Sequence, residues 1–221
     1  MNAVAERAIA EVRDGMLLGL GTGRAADAFI RRLGAAVGGG LRVSGVPTSE
    51  RSAKLARDLG ITLLGLAEAP RLDVAFDGAD EVAPDLALVK GKGGAMLRER
   101  VVAALAERFV VLVTPDKLVS SLGEKCPLPV EVVPFALEPV RRRLSAFGEV
   151  ALRAGAGEPY RTDNGNPVLD VTPSEGRWAS PGEADRAIRA LPGVVDTGFF
   201  FGMATLVLVG EGGRARELTP P

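Results

Sequence analysis

Carboxylates and lysines are concentrated in two short, glycine-containing segments of this chain. The first, DGADE, carries Asp77, Asp80 and Glu81, and the second, KGKGGA, carries Lys90 and Lys92. Carboxylates beside lysines favour proton transfer combined with stabilisation of a developing negative charge. The glycines of KGKGGA would also expose backbone N–H groups to an oxyanion.

Other interpretations of these two segments stay open at this point. DGADE can be a solvated acidic turn, or a magnesium site, because hard cations prefer carboxylate oxygens. KGKGGA can be an ordinary flexible basic turn. The nearby lysines oppose cation binding, so proton transfer is the interpretation we favour.

Glu99 is a further candidate for acid–base chemistry. The residues at helical distance from it, Met96, Val102 and Ala103, are all apolar. Burial beside such a flank would raise the pKa of the carboxyl toward that of a useful base. The chain contains no histidine, which excludes Ser-His-Asp triads and nearly all zinc sites. Acids and bases acting near neutral pH must therefore be Asp, Glu, Lys or Tyr.

GLGTGRAA, residues 19–26, follows an apolar run and opens a predicted helix. Its Gly21-x-Gly23-x-x-Ala26 pattern matches a dinucleotide-binding fingerprint, but GVPTS, after the second predicted strand, lacks the acidic residue that holds a ribose. A phosphate needs only free N–H groups at a helix N-terminus, so we favour phosphate binding. A tight turn without any ligand is the remaining possibility.

Predicted strands and helices alternate in the first half of the chain. The strands are 16–20, 41–46, 61–64, 72–76, 86–89 and 109–114, and the helices are 23–37, one from Thr48 or Ser49 to Gly60, and about 94–107. This alternation indicates a mostly parallel sheet covered on both faces. Ligands collect beyond the carboxyl ends of such strands, and GLGTGRAA, DGADE, KGKGGA and Pro115-Asp116-Lys117 each follow a predicted strand.

The pattern changes near Cys126. The predicted elements are strand 130–135, a helix with Val140 and Leu144, strands 149–153 and 167–172, a helix at 183–190 and strand 194–200. This order predicts a ferredoxin-like α+β domain, and strand 203–210 returns to the first domain. The fold class is therefore α/β: a Rossmann-like, mostly parallel sheet domain (1–126 and 201–221) with a smaller ferredoxin-like domain (127–200), which we expect to mediate oligomer contact.

Composition excludes several partners and compartments. The net charge of −1 argues against a broad nucleic-acid surface. A single cysteine indicates a cytoplasmic protein, the apolar runs are too short to span a membrane, and the N-terminal residues do not resemble a secretory signal.

Several long motifs, in order, resemble those of ribose-5-phosphate isomerase, type A. They are GLGTG (19–23), FDGADE (76–81), VKGKGGAMLRER (89–100), LGEKCPLPVEVVPFA (122–136), TDNGNPVLDV (162–171) and PGVVDTGFF (192–200). The resemblance covers nearly the whole chain. It implies interconversion of D-ribose 5-phosphate and D-ribulose 5-phosphate in the non-oxidative pentose phosphate pathway, without metal or organic cofactor, by a homodimer or homotetramer.

The resemblance also assigns roles to residues. Glu99 matches the base that moves a proton between C2 and C1 through a cis-enediolate. Asp77, with Asp80 beside it, matches the carboxylate that assists ring opening and hydroxyl proton transfer, and Lys90 matches the cation that stabilises the enediolate oxygen. The residues implied as substrate contacts are Thr22, Gly23, Arg24, Ala25, Asp77, Gly78, Ala79, Asp80, Lys90, Gly91, Lys92, Gly93 and Lys117.

Two departures concern the phosphate. The family's loop usually reads Gly-Thr-Gly-Ser-Thr, whereas here Arg24 and Ala25 replace the two hydroxyl residues. The family's N-terminal lysine is also absent, because its position falls at Met1 or Asn2. A guanidinium binds phosphate in a bidentate fork, so Arg24 can replace these contacts.

Two alternatives belong to other classes: a nicotinamide-dependent oxidoreductase and a sugar-phosphate sensor. Against the oxidoreductase, this chain lacks the acidic residue that would hold the ribose of the cofactor. A sensor would have no need of Glu99, Asp77 and Lys90 together, and the 18 residues before Gly19 are too few for a DNA-binding segment.

Overall fold

A computed structural model describes residues 2–155 and 157–221 of the chain. The family's N-terminal lysine was expected to align with Met1 or Asn2. Met1 lies outside the described residues, so only Asn2 of these two positions is described. The contacts divide the chain into two compact units. Unit 1 comprises Met1–Ala79, Arg98–Asp116 and Gly202–Pro221, and unit 2 comprises Asp80–Leu97 and Lys117–Phe201.

Unit 1 is built on a seven-stranded sheet. Its strands are β1 (Leu17–Leu20), β2 (Ser44–Pro47), β3 (Thr62–Leu63), β4 (Leu72–Gly78), β7 (Ala106–Val113), β13 (Leu206–Glu211) and β14 (Arg214–Leu218). Its helices are α1 (Asn2–Ile9), α2 (Arg24–Gly38) and α3 (Glu50–Asp58), with most of α4 (Met96–Leu105).

The order of strands in this sheet is β14-β13-β7-β4-β1-β2-β3, and all neighbours are parallel except the edge pair β13–β14. From β1 the chain first builds outward through β2 and β3, and then continues on the other side with β4, β7 and β13. The reversal between β1 and β4 is a topological switch point, where open parallel sheets bind ligands beyond the strand ends. The predicted Rossmann-like sheet is confirmed, including the returning strand β13.

The core of unit 1 follows from the apolar spacing of α2. Phe29, Ile30 and Leu33 lie on one helical face and are fully buried. Phe29 stacks on Phe76 of β4, with the ring centroids 4.1 Å apart. Together these side chains hold α2 against the strands that end at the switch point.

Unit 2 contains two sheets. The four-stranded sheet consists of β8 (Leu128–Val132), β9 (Gly148–Leu152), β10 (Val168–Pro173) and β11 (Val194–Thr197), with helices α5 (Leu137–Leu144) and α6 (Pro181–Arg189). The three-stranded sheet consists of β5 (Glu81–Val82), β6 (Leu88–Val89) and β12 (Phe199–Phe200). Short 3-10 helices cover Pro115–Lys117 and Pro134–Ala136.

The four-stranded sheet has the order β11-β8-β10-β9, with every neighbouring pair antiparallel. With its strand-helix-strand-strand-helix-strand connectivity, it is the predicted ferredoxin-like unit. Val140 and Leu144 of α5 are buried in its core, as their spacing predicted.

Three expectations about individual elements were wrong or incomplete. Residues 86–89 do not add a strand to the parallel sheet, because β6 pairs antiparallel with β5 and β12. The predicted strand 194–200 is interrupted at Gly198, whose amide binds Pro129 and whose carbonyl accepts the Lys90 amide. Helix α1 and strand β14 were not predicted.

Helix α1 is tied to the sheet through Glu11, which follows it. The carboxylate of Glu11 accepts bonds from Arg7 at 2.5 Å and from Arg108 of β7 at 2.7 Å. Burial pulls the pKa of Glu11 upward, but the bonds from the two arginines outweigh it and hold the pKa below its ordinary value. The ionised form of Glu11 therefore stabilises the folded chain.

We expect Glu11→Gln to lower the free energy of unfolding by about 1–2 kcal/mol at pH 7. Because the folded-state pKa is depressed, this contribution is complete above the ordinary value of 4.5 and is lost as the pH falls through the folded pKa. Urea unfolding at pH 7 and pH 3 measures it. Glu6→Gln, at the exposed Glu6–Arg32 pair, is the control. An equal difference between wild type and Glu11→Gln at both pH values would contradict the prediction.

Candidate active site

Asp77 and the loop after β1 are in direct contact at the switch point. The buried Asp77 carboxylate accepts the amide of Thr22 at 3.0 Å and that of Gly78 at 2.7 Å. A Cβ at Gly21 would lie 2.3 Å from this carboxylate and 2.5 Å from the carbonyl oxygen of Phe76. Only glycine therefore fits between the ends of β1 and β4.

A cluster of hydroxyl groups holds the same loop from the side of β2. The hydroxyl of Thr22 lies 2.7 Å from that of Thr48 and 2.8 Å from that of Ser49. Ser52 donates to the carbonyl oxygen of Gly21 at 2.6 Å. These hydroxyls occupy the place where a dinucleotide site would carry its acidic residue, and they position the loop instead.

Helix α2 begins just beyond this loop without a side-chain cap. Gly23 is the N-cap residue, and its φ of 107° is a conformation that favours glycine. A Cβ at Gly23 would meet no atom within 4 Å, so the space beside it is open. Arg24 is exposed at the first helical position, followed by the half-buried Ala25. This end of α2 has the features of an anion cradle.

Glu99 lies in the first turn of α4, and its side chain is 4% exposed. Since β7 starts directly after α4, the N-terminus of α4 lies toward the carboxyl ends of the strands. One turn further along, Val102 packs on β1 so closely that a Cβ at Gly19 would lie 2.6 Å from it. The apolar flank predicted for Glu99 is confirmed, because Met96, Val102 and Ala103 are buried.

Asp80 and Lys90 belong to unit 2. The carboxylate of Asp80 accepts the amide of Lys92 at 2.9 Å, and the amide of Asp80 binds the carbonyl of Val89 at 2.8 Å. Lys90 is 2% exposed, and its ammonium lies 5.6 Å from the centroid of the Phe200 ring. A lysine this deeply buried is not the basic surface turn that the sequence left open.

The rest of the KGKGGA segment is a loop in which two glycines adopt backbone conformations that favour glycine. Gly91 and Gly94 have φ values of 100° and 73°, respectively. Lys92 and Gly93 are exposed, whereas Gly91 is buried. The carbonyls of Gly91 and Lys92 accept bonds from Arg153, and that of Gly93 accepts one from Tyr160.

Glu81, the last residue of DGADE, has a structural role. It is fully buried, and its carboxylate accepts the amides of Gly123, Lys125 and Cys126 at 2.5–2.9 Å. Burial, followed by the charges of Glu81 and Asp80, raises the pKa of the Cys126 thiol, while Lys117 opposes the rise. Cys126 is therefore not a thiolate nucleophile at neutral pH.

Within each unit the structure brings several predicted residues together. In unit 1 these are Thr22, Gly23, Arg24, Ala25, Asp77 and Gly78, with Ala79 following directly and Glu99 on α4. In unit 2 Asp80 contacts the loop of Lys90, Gly91, Lys92 and Gly93. The charges of Asp80 and Lys117 both act on the pKa of Cys126, which Asp80 raises and Lys117 lowers.

The expectation that all four segments follow strands of the parallel sheet was wrong for one of them. GLGTGRAA, DGADE and Pro115-Asp116-Lys117 follow β1, β4 and β7 of the parallel sheet, but KGKGGA follows β6 of the antiparallel one. DGADE is not a solvated turn, since Asp77 and Glu81 are buried. Across residues 2–155 and 157–221, no group of three or more His, Cys, Asp or Glu side chains is arranged to hold a metal ion.

Sequence reasoning missed the positioning residues. The hydroxyls of Thr48 and Ser49 were visible in GVPTS, but only as helix caps. Arg153 and Tyr160 carried no local signal, because they lie about sixty residues beyond the loop that they hold.

Comparison with known proteins gives a consistent result. The family model described as ribose 5-phosphate isomerase A (phosphoriboisomerase A) matches residues 44–213. A ribose-5-phosphate isomerase A from Gloeobacter violaceus is 49% identical over 98% of this chain and 94% of its own.

Two solved structures share the whole fold. The ribose 5-phosphate isomerase A of Methanocaldococcus jannaschii is 43% identical, with a TM-score of 0.93 over 99% of this chain and 97% of its own. A D-ribose-5-phosphate isomerase in complex with phospho-erythronic acid is 36% identical, with a TM-score of 0.94 over 99% and 96%.

A Rossmann-like enzyme that buries carboxylates and a lysine is the class that this fold and these residues define. Within that class, the chain belongs to the ribose 5-phosphate isomerase A family. The resemblance noted from its motifs is confirmed, and the chain is an isomerase. The oxidoreductase and sensor alternatives receive no support from these comparisons.

The contact between Gly21 and Asp77 can be tested by substitution. We expect Gly21→Ala to displace the Asp77 carboxylate and to lower kcat/KM by about 100-fold, because small misplacements of reacting groups are costly. A coupled assay of ribulose 5-phosphate formation measures this. Gly38→Ala, at a helical glycine with open space around it, is the control and should leave kcat/KM unchanged. Normal kcat/KM in Gly21→Ala would refute the argument.

Proposed function

We propose that this chain interconverts D-ribose 5-phosphate and D-ribulose 5-phosphate with Glu99 as the base, without metal or organic cofactor. Glu99 takes the proton from C2 of the open-chain aldose and returns it to C1. The intermediate is a cis-enediolate, in which the charge lies on the oxygens of C1 and C2. The proton of the C2 hydroxyl moves to the C1 oxygen, so that atoms and charge balance.

The other proposed catalytic groups divide the remaining work. Asp77 assists ring opening and carries the hydroxyl proton, with Asp80 beside it in sequence. Lys90 stabilises the enediolate oxygen by its positive charge. The burial of Asp77 and Lys90 supports these roles, because charges act more strongly on a reacting group where water is excluded.

The burial of Glu99 is the observation that carries the proposal. Its carboxylate is held in the first turn of a helix, toward the strand ends where parallel sheets place ligands, and is nearly inaccessible to bulk water. A relative of the same fold binds phospho-erythronic acid, an aldonic acid phosphate. The carboxylate of phospho-erythronic acid resembles the enediolate in charge, which supports an enediolate route here.

We expect purified protein to form ribulose 5-phosphate from ribose 5-phosphate with a chelator present. Glu99→Gln should lower kcat by about 100-fold or more, which is the usual cost of losing a general base. Glu107→Gln, at an exposed carboxylate of β7, is the control and should keep full activity. Absence of turnover by the wild type would refute the activity, and unchanged kcat in Glu99→Gln would remove Glu99 from its role.

Phosphate binding is assigned to the N-terminus of α2, with Arg24 as the cationic contact. The exposed side chain of Arg24 stands at the first position of α2, whose N-terminus has no side-chain cap. There its positive charge adds to the attraction that the helix N-terminus exerts on an anion. Thr22, Gly23 and Ala25 complete this cradle. Gly78, Ala79, Asp80, Gly91, Lys92, Gly93 and Lys117 are the further proposed substrate contacts.

Arg24→Ala should raise KM for ribose 5-phosphate about tenfold with little change in kcat, because it removes uniform binding of the phosphate. Arg31→Ala provides a matched control, since Arg31 is exposed on the same helix two turns further on. Steady-state kinetics separate the two constants. Equal KM values for both variants would return Arg24 to an ordinary surface charge.

For the assembly we propose a homodimer or homotetramer that uses the smaller domain, residues 127–200. Phe135 is 99% exposed there and Val133 36%, so apolar surface is available for a second copy of the chain. Light scattering of the purified protein measures the mass.

No described helix is long and apolar enough to cross a membrane. We propose a cytoplasmic location, with no nucleic-acid or membrane partner.

A further inference from the structure

The glycine loop at 90–94 is held from behind by two side chains. One nitrogen of the Arg153 guanidinium donates to the carbonyl oxygens of Gly91, at 2.7 Å, and Lys92, at 3.1 Å. The hydroxyl of Tyr160 donates to the carbonyl oxygen of Gly93 at 2.9 Å. Three successive carbonyls of this loop are therefore turned toward the same pair of residues.

Arg153 is itself fixed in place. Its guanidinium forms an ion pair with Asp170 of β10, with one nitrogen–oxygen distance of 2.9 Å, and lies 5.8 Å from the centroid of the Tyr160 ring. The side chain of Arg153 is 12% exposed and that of Asp170 18%. A partly buried bidentate pair of this kind keeps the guanidinium in one orientation.

The orientation of the carbonyls determines that of the amides. No peptide bond among the described residues is cis, and a trans peptide directs its N–H away from its C=O. The amides of Lys92 and Gly93 consequently point away from Arg153. The Lys92 amide donates to the carboxylate of Asp80 at 2.9 Å.

We propose that Arg153, supported by Asp170 and Tyr160, is a positioning residue of the isomerase reaction. It fixes two peptide groups of the loop, so that the Lys92 amide holds the Asp80 carboxylate and the Gly93 amide faces the same way. Lys90 is the residue before the first of these peptide groups, so fixing them also restricts the backbone of Lys90. The inference rests on the proposed function, because it takes Asp80 and Lys90 as groups that act on the substrate.

A role in positioning acts on the transition state more than on the bound substrate. We expect Arg153→Ala to lower kcat about tenfold or more, with KM for ribose 5-phosphate within about threefold of the wild type. The inhibition constant of 4-phospho-D-erythronate should rise about tenfold, because this compound carries its charge where the enediolate does. Steady-state kinetics at a temperature well below the measured Tm give all three constants.

Arg161→Ala is the matched control. Arg161 also donates to a backbone carbonyl, that of Gly165 in its own turn, but not to the glycine loop. Tyr160→Phe removes one hydrogen bond to the loop while keeping the ring, and should lower kcat about threefold with little change in Tm. This variant keeps the proposal testable if Arg153→Ala does not fold.

The outcomes separate the two proposals. If wild type and Arg161→Ala both turn over ribose 5-phosphate but the Arg153 and Tyr160 variants keep normal kcat and inhibition constants, the positioning role is overturned and the proposed function stands. A loss of Tm without a change in kcat would show a structural brace only and would also overturn it. If the wild type has no activity on ribose 5-phosphate, the proposed function fails, and the positioning role with it.

Discussion

The contact between the Asp77 carboxylate and the backbone at Gly21 is the constraint on which the rest of unit 1 depends. The carboxylate satisfies the amides of Thr22 and Gly78, and no side chain fits at Gly21. β1 and β4 must therefore end side by side at the reversal of the sheet. The orientation of the following loop, and with it the start of α2, is a consequence of this one approach.

The same principle operates in unit 2 with different residues. There a loop with glycines at positive φ is held by Arg153 and Tyr160 through its carbonyls, and one of its amides holds Asp80. In both units a carboxylate proposed to act in catalysis is bound by backbone amides. Amides held by the fold cannot reorient as water does, so each carboxylate is held in position before a substrate arrives.

Predictability from sequence differed between elements for physical reasons. β1, α2 and β4 carry strong local patterns, and the structure contains them within a few residues of their predicted bounds. β6 was placed in the wrong sheet, because a short apolar run is equally compatible with parallel and antiparallel neighbours. Helix α1 buries Val4 and Ala8 in the core of unit 1, and Glu11 after it pairs with Arg108, nearly one hundred residues away along the chain.

The sequence by itself determined the fold class, the family and the identity of the candidate acid–base residues, since these depend on residue types, spacing and motif order. Burial of Glu99 was also foreseeable, because helical periodicity alone places it beside apolar neighbours. Only the tertiary structure decided which groups orient these candidate residues. The hydroxyls around Thr22, and Arg153 behind the glycine loop, act through contacts between segments far apart in the chain. Such contacts depend on three-dimensional proximity, which no local pattern of residues encodes.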